Sequence, residues 1–241
     1  GGTGNVFIGY QSGYNNIGTG ATNKGTYNVF IGNKAGFSNS SGTENVMLGY
    51  NAGYYLTDGV KNVILGNVAG YYSNASSGVI IGDEAGYNAK TGWGNVIIGQ
   101  RAGYNNGANG TSPGRNTFVG RNSGENNDGG EHNTYIGAYS GNKAQNGRYN
   151  TFLGDGAGED AVPGDGNIFV GYRAGLNNNG LRNVIIGTEA GSTESNHSLT
   201  ANYNYSVIVG YRAGFKNQTG HANVFIGSGA GYNELGSNKL Y

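Results

Sequence analysis

The chain has 241 residues, 50 of them glycine and 37 asparagine, and its 14 basic side chains balance 14 acidic ones. That balance excludes the basic excess of a nucleic-acid binder. No apolar run within it has the length of a membrane span or a signal-peptide core, and two prolines without a three-residue glycine period exclude collagen. Glycine and asparagine at this level weaken helices, and the absence of cysteine removes thiol nucleophiles and thiolate metal sites. Nineteen tyrosines and eight phenylalanines argue for an ordered repeat protein over a disordered chain.

In chain order, a unit of the form Asn-Val-Phe-Ile-Gly, two variable residues, Ala-Gly-Tyr begins at thirteen places. These are Asn5, Asn28, Asn45, Asn62, Gly78, Asn95, Asn116, Asn133, Asn150, Asn167, Asn183, Ser206 and Asn223. The base step is 17 residues, with longer steps of 23, 21 and 23 at the first, sixth and eleventh junctions. The array therefore reads as one domain, 1–241, with super-repeats of about 5–94, 95–182 and 183–241. A period of 17 is too short for helical repeats and suits one turn of a β-solenoid. The expected fold is all-β, a parallel β-solenoid or β-roll of thirteen coils, each carrying one short strand followed by a glycine corner.

Side chains alternate along a strand, so the second and fourth positions of each unit share a face. Both are aliphatic apart from Thr117, Thr134 and Thr151, and this face is expected to line the interior. The third position is always large and apolar: Phe7, Phe30, Met47, Ile64, Ile80, Ile97, Phe118, Tyr135, Phe152, Phe169, Ile185, Ile208 and Phe225. It is expected to point outward as a hydrophobic stripe for oligomerisation, since stripes of that size are rarely left in water. Another strand of the same chain or a neighbouring subunit could cover it. The fifth and ninth positions are glycine in every unit and the eighth is Ala or Ser, which predicts corners with positive φ or close backbone approach around a narrow lumen. Asparagine opens eleven units and is expected to form a ladder of amides bonded coil to coil.

Units such as Gly4–Tyr14 (GNVFIGYQSGY), Gly94–Tyr104 (GNVIIGQRAGY) and Ala222–Tyr232 (ANVFIGSGAGY) resemble the head repeats of trimeric autotransporter adhesins. They resemble more closely the repeats of bacterial and phage fibre proteins that precede an endosialidase-type chaperone domain. The resemblance covers the whole chain and implies a left-handed roll with three chains packed side by side. It would place Val6 and Ile8 towards the lumen, Phe7 towards the trimer, and Gly236–Tyr241 as an exit into a following domain. The 17-residue unit is longer than the adhesin-head unit, and the chain is expected to be a segment of a longer fibre.

Candidate sites are few. The tenth position is aromatic in eight units, and Tyr14, Tyr54, Tyr71, Tyr87, Tyr104 and Tyr232, with Phe37 and Phe215, form a possible binding surface or a stabilising stack. The expanded loops 15–27, 105–115 and 192–205 are further binding candidates. Asp155, Glu159, Asp160 and Asp165 are weak calcium candidates without the periodicity of calcium-binding rolls. His132, His197 and His221 lack metal-ligand spacing, and Arg101, Arg173 and Arg212 share the outward seventh position in distant coils. Asn74 and Asn217 head glycosylation sequons of the kind chance supplies at this asparagine content. Carboxylates for glycosidase chemistry are not clustered on one face, and threonines are not paired as on an ice-binding face.

The expected role is a structural and adhesive shaft in an extracellular or virion fibre, self-associating as a homotrimer and touching its target through repeated weak contacts. No enzyme, cofactor, nucleic-acid partner or membrane insertion is expected of it. The alternative is a carbohydrate-binding or carbohydrate-cleaving tail-spike module.

Overall fold

A computed structural model describes residues 2–17, 24–90, 92–193, 201–217 and 219–241. It is a parallel β-solenoid with one three-residue strand per repeat and no helix among the described residues. Two compact units divide it, Gly1–Arg121 and Asn122–Tyr241, with the boundary inside the second super-repeat. The first unit holds β1 (Val6–Ile8), β2 (Val29–Ile31), β3 (Val46–Leu48), β4 (Val63–Leu65), β5 (Val79–Ile81), β6 (Val96–Ile98) and β7 (Thr117–Val119). The second holds β8 (Thr134–Ile136), β9 (Thr151–Leu153), β10 (Ile168–Val170), β11 (Val184–Ile186), β12 (Val207–Val209) and β13 (Val224–Ile226). Within each unit every strand pairs with the next in parallel, and equivalent repeat positions face each other: Phe30 opposite Met47, Phe152 opposite Phe169.

The strands are short because both ends are bent. The residue before each unit has a left-handed φ, from 54° at Ala222 to 74° at Gly166, and the fifth-position glycine lies between 123° and 140°. At these glycines, Gly227 in the last strand apart, a Cβ would also come within 2.3–2.6 Å of the next coil's carbonyl oxygen, as at Gly32 against Gly49 or Gly171 against Gly187, which leaves no room for a side chain. The seventh position is left-handed as well, and mostly without glycine: Lys34, Val68, Arg101 and Arg173 have φ between 45° and 53°. Such a backbone costs about 1–2 kcal/mol per non-glycine residue. The offset lies in the ladder, since these residues donate their N–H to the preceding coil, Lys34 to Tyr10 and Val68 to Tyr50, both at 2.8 Å.

The interior is the reverse of the expected one. Phe30, Met47, Ile64, Phe118, Tyr135, Phe152, Phe169, Ile185, Ile208 and Phe225 are wholly buried, and Ile80 and Ile97 nearly so. Only Phe7, in the first strand, is exposed. The third-position side chains therefore fill the lumen and cannot form the outward oligomer stripe. Val46 and Leu48, which flank buried Met47, are 39% and 46% exposed, and the second and fourth positions are nowhere buried. Size decides the parity. A lumen bounded by Ala35, Ala52 or Ala69 at the eighth position has room for one large column. That column buries more apolar area when it is the Phe/Met/Ile one. The ninth-position glycine is the floor beneath it: a Cβ at Gly36 would sit 2.6 Å from the Phe30 ring, and one at Gly175 the same distance from Phe169.

Asparagine ladders close one side of the lumen. Each first-position amide oxygen accepts the backbone N–H of its counterpart one coil on, in the first unit Asn5 from Asn28, Asn28 from Asn45, and Asn45 from Asn62, at 2.8–3.0 Å. The amide nitrogens donate to loop carbonyls, as Asn28 does to Gly42 and Asn183 to Tyr203, except at Asn150, whose buried nitrogen has no partner. Amide-to-amide bonds occur at Asn62–Asn45, Asn167–Asn150 and Asn183–Asn167. The ladder is thus mainly amide to backbone rather than amide to amide, and it satisfies N–H groups that the three-residue strands leave over. Ser206 keeps it with its hydroxyl, which accepts from Asn223, whereas Gly78 has no side chain to offer Asn95. Asn238–Tyr241 occupy the register of a further unit: Asn238 is left-handed, Lys239 donates to the Asn223 amide and Leu240 bridges Val224.

Candidate interaction surfaces

The strands present a two-column aliphatic face in each unit. In the first it runs from Val6 and Ile8 (46% and 56% exposed) towards β7; in the second it ends at Val224 and Ile226, the latter 61% exposed. Every fourth position is Ile, Leu or Val, and the three exceptions at the second are Thr117, Thr134 and Thr151. Strand spacing and a width of roughly 10 Å put the strip on the order of 300 Å² per unit, which is the size at which apolar patches on soluble proteins signify contacts. Nothing in the described chain covers it.

The tenth-position aromatics do stack. In the first unit Tyr14, Phe37, Tyr54, Tyr71, Tyr87 and Tyr104 form one continuous column with ring centroids 4.9–5.2 Å apart and planes within 21°. Lys34 lies 5.8 Å from the Phe37 ring and Arg101 4.2 Å from Tyr104, so cations border the column. Burial, and then the neighbouring phenols led by Tyr55 and Tyr72 respectively, push the Tyr71 and Tyr87 hydroxyls above the usual tyrosine range. In the second unit only Phe215 and Tyr232 stack, 5.3 Å apart. The binding candidates are therefore brought together as two separate groups: five tyrosines in one unit, Tyr232 in the other.

A second aromatic column, invisible to the tenth-position count, stands beside the first. Tyr55 and Tyr72 occupy the eleventh position, stack at 5.0 Å with planes 6° apart, and meet Tyr54 and Tyr71 edge-on at 4.7 and 4.8 Å. They are 44% and 40% exposed. The signal lay in the doublets Tyr54-Tyr55 and Tyr71-Tyr72.

The remaining candidates are structural where the chain is described. Asp160 pairs with Lys143 at 2.6 Å, and Asp165 accepts the Arg148 N–H at 2.8 Å. With Asp155 and Glu159 they do not converge, and no group of three His, Asp or Glu side chains able to hold an ion occurs among the described residues. His132 stacks on Tyr149, and His221 accepts the Asn204 N–H through Nδ1; His197 lies outside the described residues. Arg101 and Arg212 pair with the seventh-position Glu84 and Glu189 of the preceding coils, at 3.0 and 2.5 Å, while Arg173 lies 5.2 Å from the Tyr172 ring. Half-exposed pairs of this kind add little stability. The Asn74 amide accepts N–H groups of Thr57, Asp58 and Gly59, and Asn217 is buried, so both sequon asparagines serve the fold.

Loop 105–115 is tied down by the Asn95 amide on the Pro113 carbonyl at 2.9 Å and by Arg115 over the Trp93 ring at 4.1 Å. The centres of the other two expanded loops, 18–23 and 194–200, lie outside the described residues. Beside the latter, Tyr203 is wholly buried and its hydroxyl donates to the Gly191 carbonyl. Burial pushes the Tyr203 and Tyr135 hydroxyls far above the ordinary range. Comparison of the chain with models of known families, with curated proteins and with solved structures gave no match.

Proposed function

We propose that the protein is a structural and adhesive shaft of an extracellular or virion fibre, built by side-by-side association of copies of this chain through the aliphatic strand face. The observation that carries the reading is the outward Val/Ile/Leu strip, continued on every strand while the lumen is already full. Each unit's strip, on the order of 300 Å², supplies about half of the roughly 600 Å² per partner at the lower limit of a specific interface. A face with one aliphatic pair per coil repeats at the strand spacing, and its natural complement is another face of the same period: a second copy, with three copies as the stoichiometry implied by the resemblance to adhesin heads. In this reading the chemistry is mechanical: stiffness, length and repeated contacts.

Light scattering tests this on the soluble chain. The reading expects an assembly of three chains that persists at low micromolar concentration, seen as smooth rods in micrographs. A monomer at all concentrations overturns it.

A further inference from the structure

We propose that Asn146–Gly147 is a self-modifying site, at which the asparagine loses its amide to water and the backbone gains an isoaspartyl link. Four asparagines precede a glycine: Asn106, Asn109, Asn146 and Asn179. That pairing is the reactive one, because a glycine N–H reaches the preceding side chain unhindered by a Cβ. The fold separates the four. Asn106 is wholly buried. Asn179 is locked at three points: its N–H donates to the Ala201 carbonyl, its amide oxygen accepts the Val162 N–H, and Asn178 takes the Gly180 N–H, each at 2.7 Å. Asn109 is exposed, but the Gly110 N–H donates to the Gly107 carbonyl at 3.2 Å. Asn146 is exposed, and among the described residues neither its side chain nor the Gly147 N–H has a hydrogen-bond partner. Gly42 and Gly130 hold the same position in their coils and do donate, to the Thr57 and Gln145 carbonyls, so the free N–H is particular to this coil.

Water is the only co-reactant. The Gly147 nitrogen gives up its proton to base and attacks the Asn146 Cγ; the new C–N bond closes a succinimide ring, and the side-chain nitrogen takes up a proton and leaves as ammonia. Water then opens the ring at either carbonyl. One product is aspartate, and the other is isoaspartate, whose backbone runs through the former side-chain carbons. The change matters because Gly147 belongs to the coil wall. Its carbonyl accepts the Asn133 amide at 2.7 Å. A Cβ on it would stand 2.5 Å from the Pro163 carbonyl oxygen and 2.7 Å from the Asn150 amide nitrogen, so its Cα is held close against the next coil. The isoaspartyl link adds a methylene between Asn146 and Gly147, and the Gly147 carbonyl must move off the Asn133 amide to admit it. A buried donor left without its acceptor lowers stability.

The test holds the whole chain warm at mildly alkaline pH, then maps its peptides by mass spectrometry and labels isoaspartate by enzymatic methyl transfer. The Asn146 peptide should be the first to show the mass of an amide exchanged for an acid, together with the label. Two hydrogen bonds must break before Asn179 can react, so its peptide should lag by at least about tenfold, and that of buried Asn106 with it. In urea the four peptides should react at similar rates. Asn146→Gln, whose longer side chain closes a larger ring more slowly, should remove the fast reaction. The aged chain should then unfold at lower urea than Asn146→Gln treated alike. Reaction at Asn106 or Asn179 as fast as at Asn146 in the folded chain overturns the assignment, and so does the same ranking persisting in urea. An aged chain as stable as the Asn146→Gln variant overturns the link to the Asn133 amide.

Discussion

The two units place their longest aromatic stack on opposite sides of the coil wall. In Gly1–Arg121 six rings run in an unbroken column outside the coil, over a lumen that is aliphatic from Met47 through Ile64 and Ile80 to Ile97, with Phe30 and Phe118 at either end. In Asn122–Tyr241 the outer column is polar at Glu125, Asn142 and Glu159 and keeps only the Phe215–Tyr232 pair, while the longest stack is inside, Tyr135 on Phe152 on Phe169 at 4.7 and 4.5 Å. Both units keep the same strands, glycines and amide ladder. Ring stacking at the strand spacing is therefore interchangeable between core and surface, and what the solenoid requires is one large apolar column within and one small residue opposite it.

The largest effect should come from removing a ring on each side. Phe152→Ala leaves a cavity in a lumen with nothing to collapse into it and should cost about 3–5 kcal/mol, whereas Tyr71→Ala in the outer column should cost about 1 kcal/mol. Urea unfolding of the two variants measures the contrast, and equal losses would break it.

The amide ladders sharpen the comparison. Asn167 serves the N–H of Asn183 and bonds Asn150 and the Gly180 carbonyl, so Asn167→Ala should cost about 2–3 kcal/mol. The first unit has the opposite defect at Gly78, where a Cβ would meet nothing closer than 3.4 Å. Gly78→Asn fills the gap and should stabilise by about 1 kcal/mol, read from the shift in denaturant midpoint.

Alkali should separate the units as well. Tyr135 and Tyr203 are buried protonated in the second unit, with folded pKa values raised far above the unfolded value of about 10. Their contribution is complete below that pH and is lost as pH rises above it, by about 1.4 kcal/mol per pH unit for each tyrosine. Tyr135→Phe should flatten the alkaline fall in thermal stability; a fall of unchanged steepness would mean that the group does not control it.

The smallest effect concerns Tyr241 and Glu234 at the C-terminal end. The Tyr241 hydroxyl, followed by the Gly236 N–H, holds the Glu234 carboxyl below its usual range. A depressed carboxyl supports the contact above the unfolded pKa of about 4 and releases it as pH falls through its folded value. The Tyr241 ring signals should move below that pH and stay constant near neutrality.

Much of this was legible from the repeat. Glycines at the fifth and ninth positions announce corners, and Gly32 and Gly36 show the reason, a carbonyl and a ring where a Cβ would stand. The parity of the strand was not legible, because Val46, Met47 and Leu48 are all apolar and alternation cannot choose between two apolar faces. Residue volume against a narrow lumen makes that choice. The left-handed seventh position escaped because Lys34, Val68 and Arg101 carry no turn signal; the hydrogen bond to the preceding coil, not local preference, holds it. Tyr55 and Tyr72 were hidden by a count taken at the tenth position alone.

The central claim, that the third position is the inside and its two neighbours are the outside, can be tested within one strand. Aspartate is placed singly at Val46, Met47 and Leu48, and assembly mass and β-sheet circular dichroism are measured for each. Met47→Asp should abolish the fold, while Val46→Asp and Leu48→Asp should keep the sheet signal and lower the mass to that of fewer chains. Retention of fold by Met47→Asp together with collapse of the other two would contradict the account.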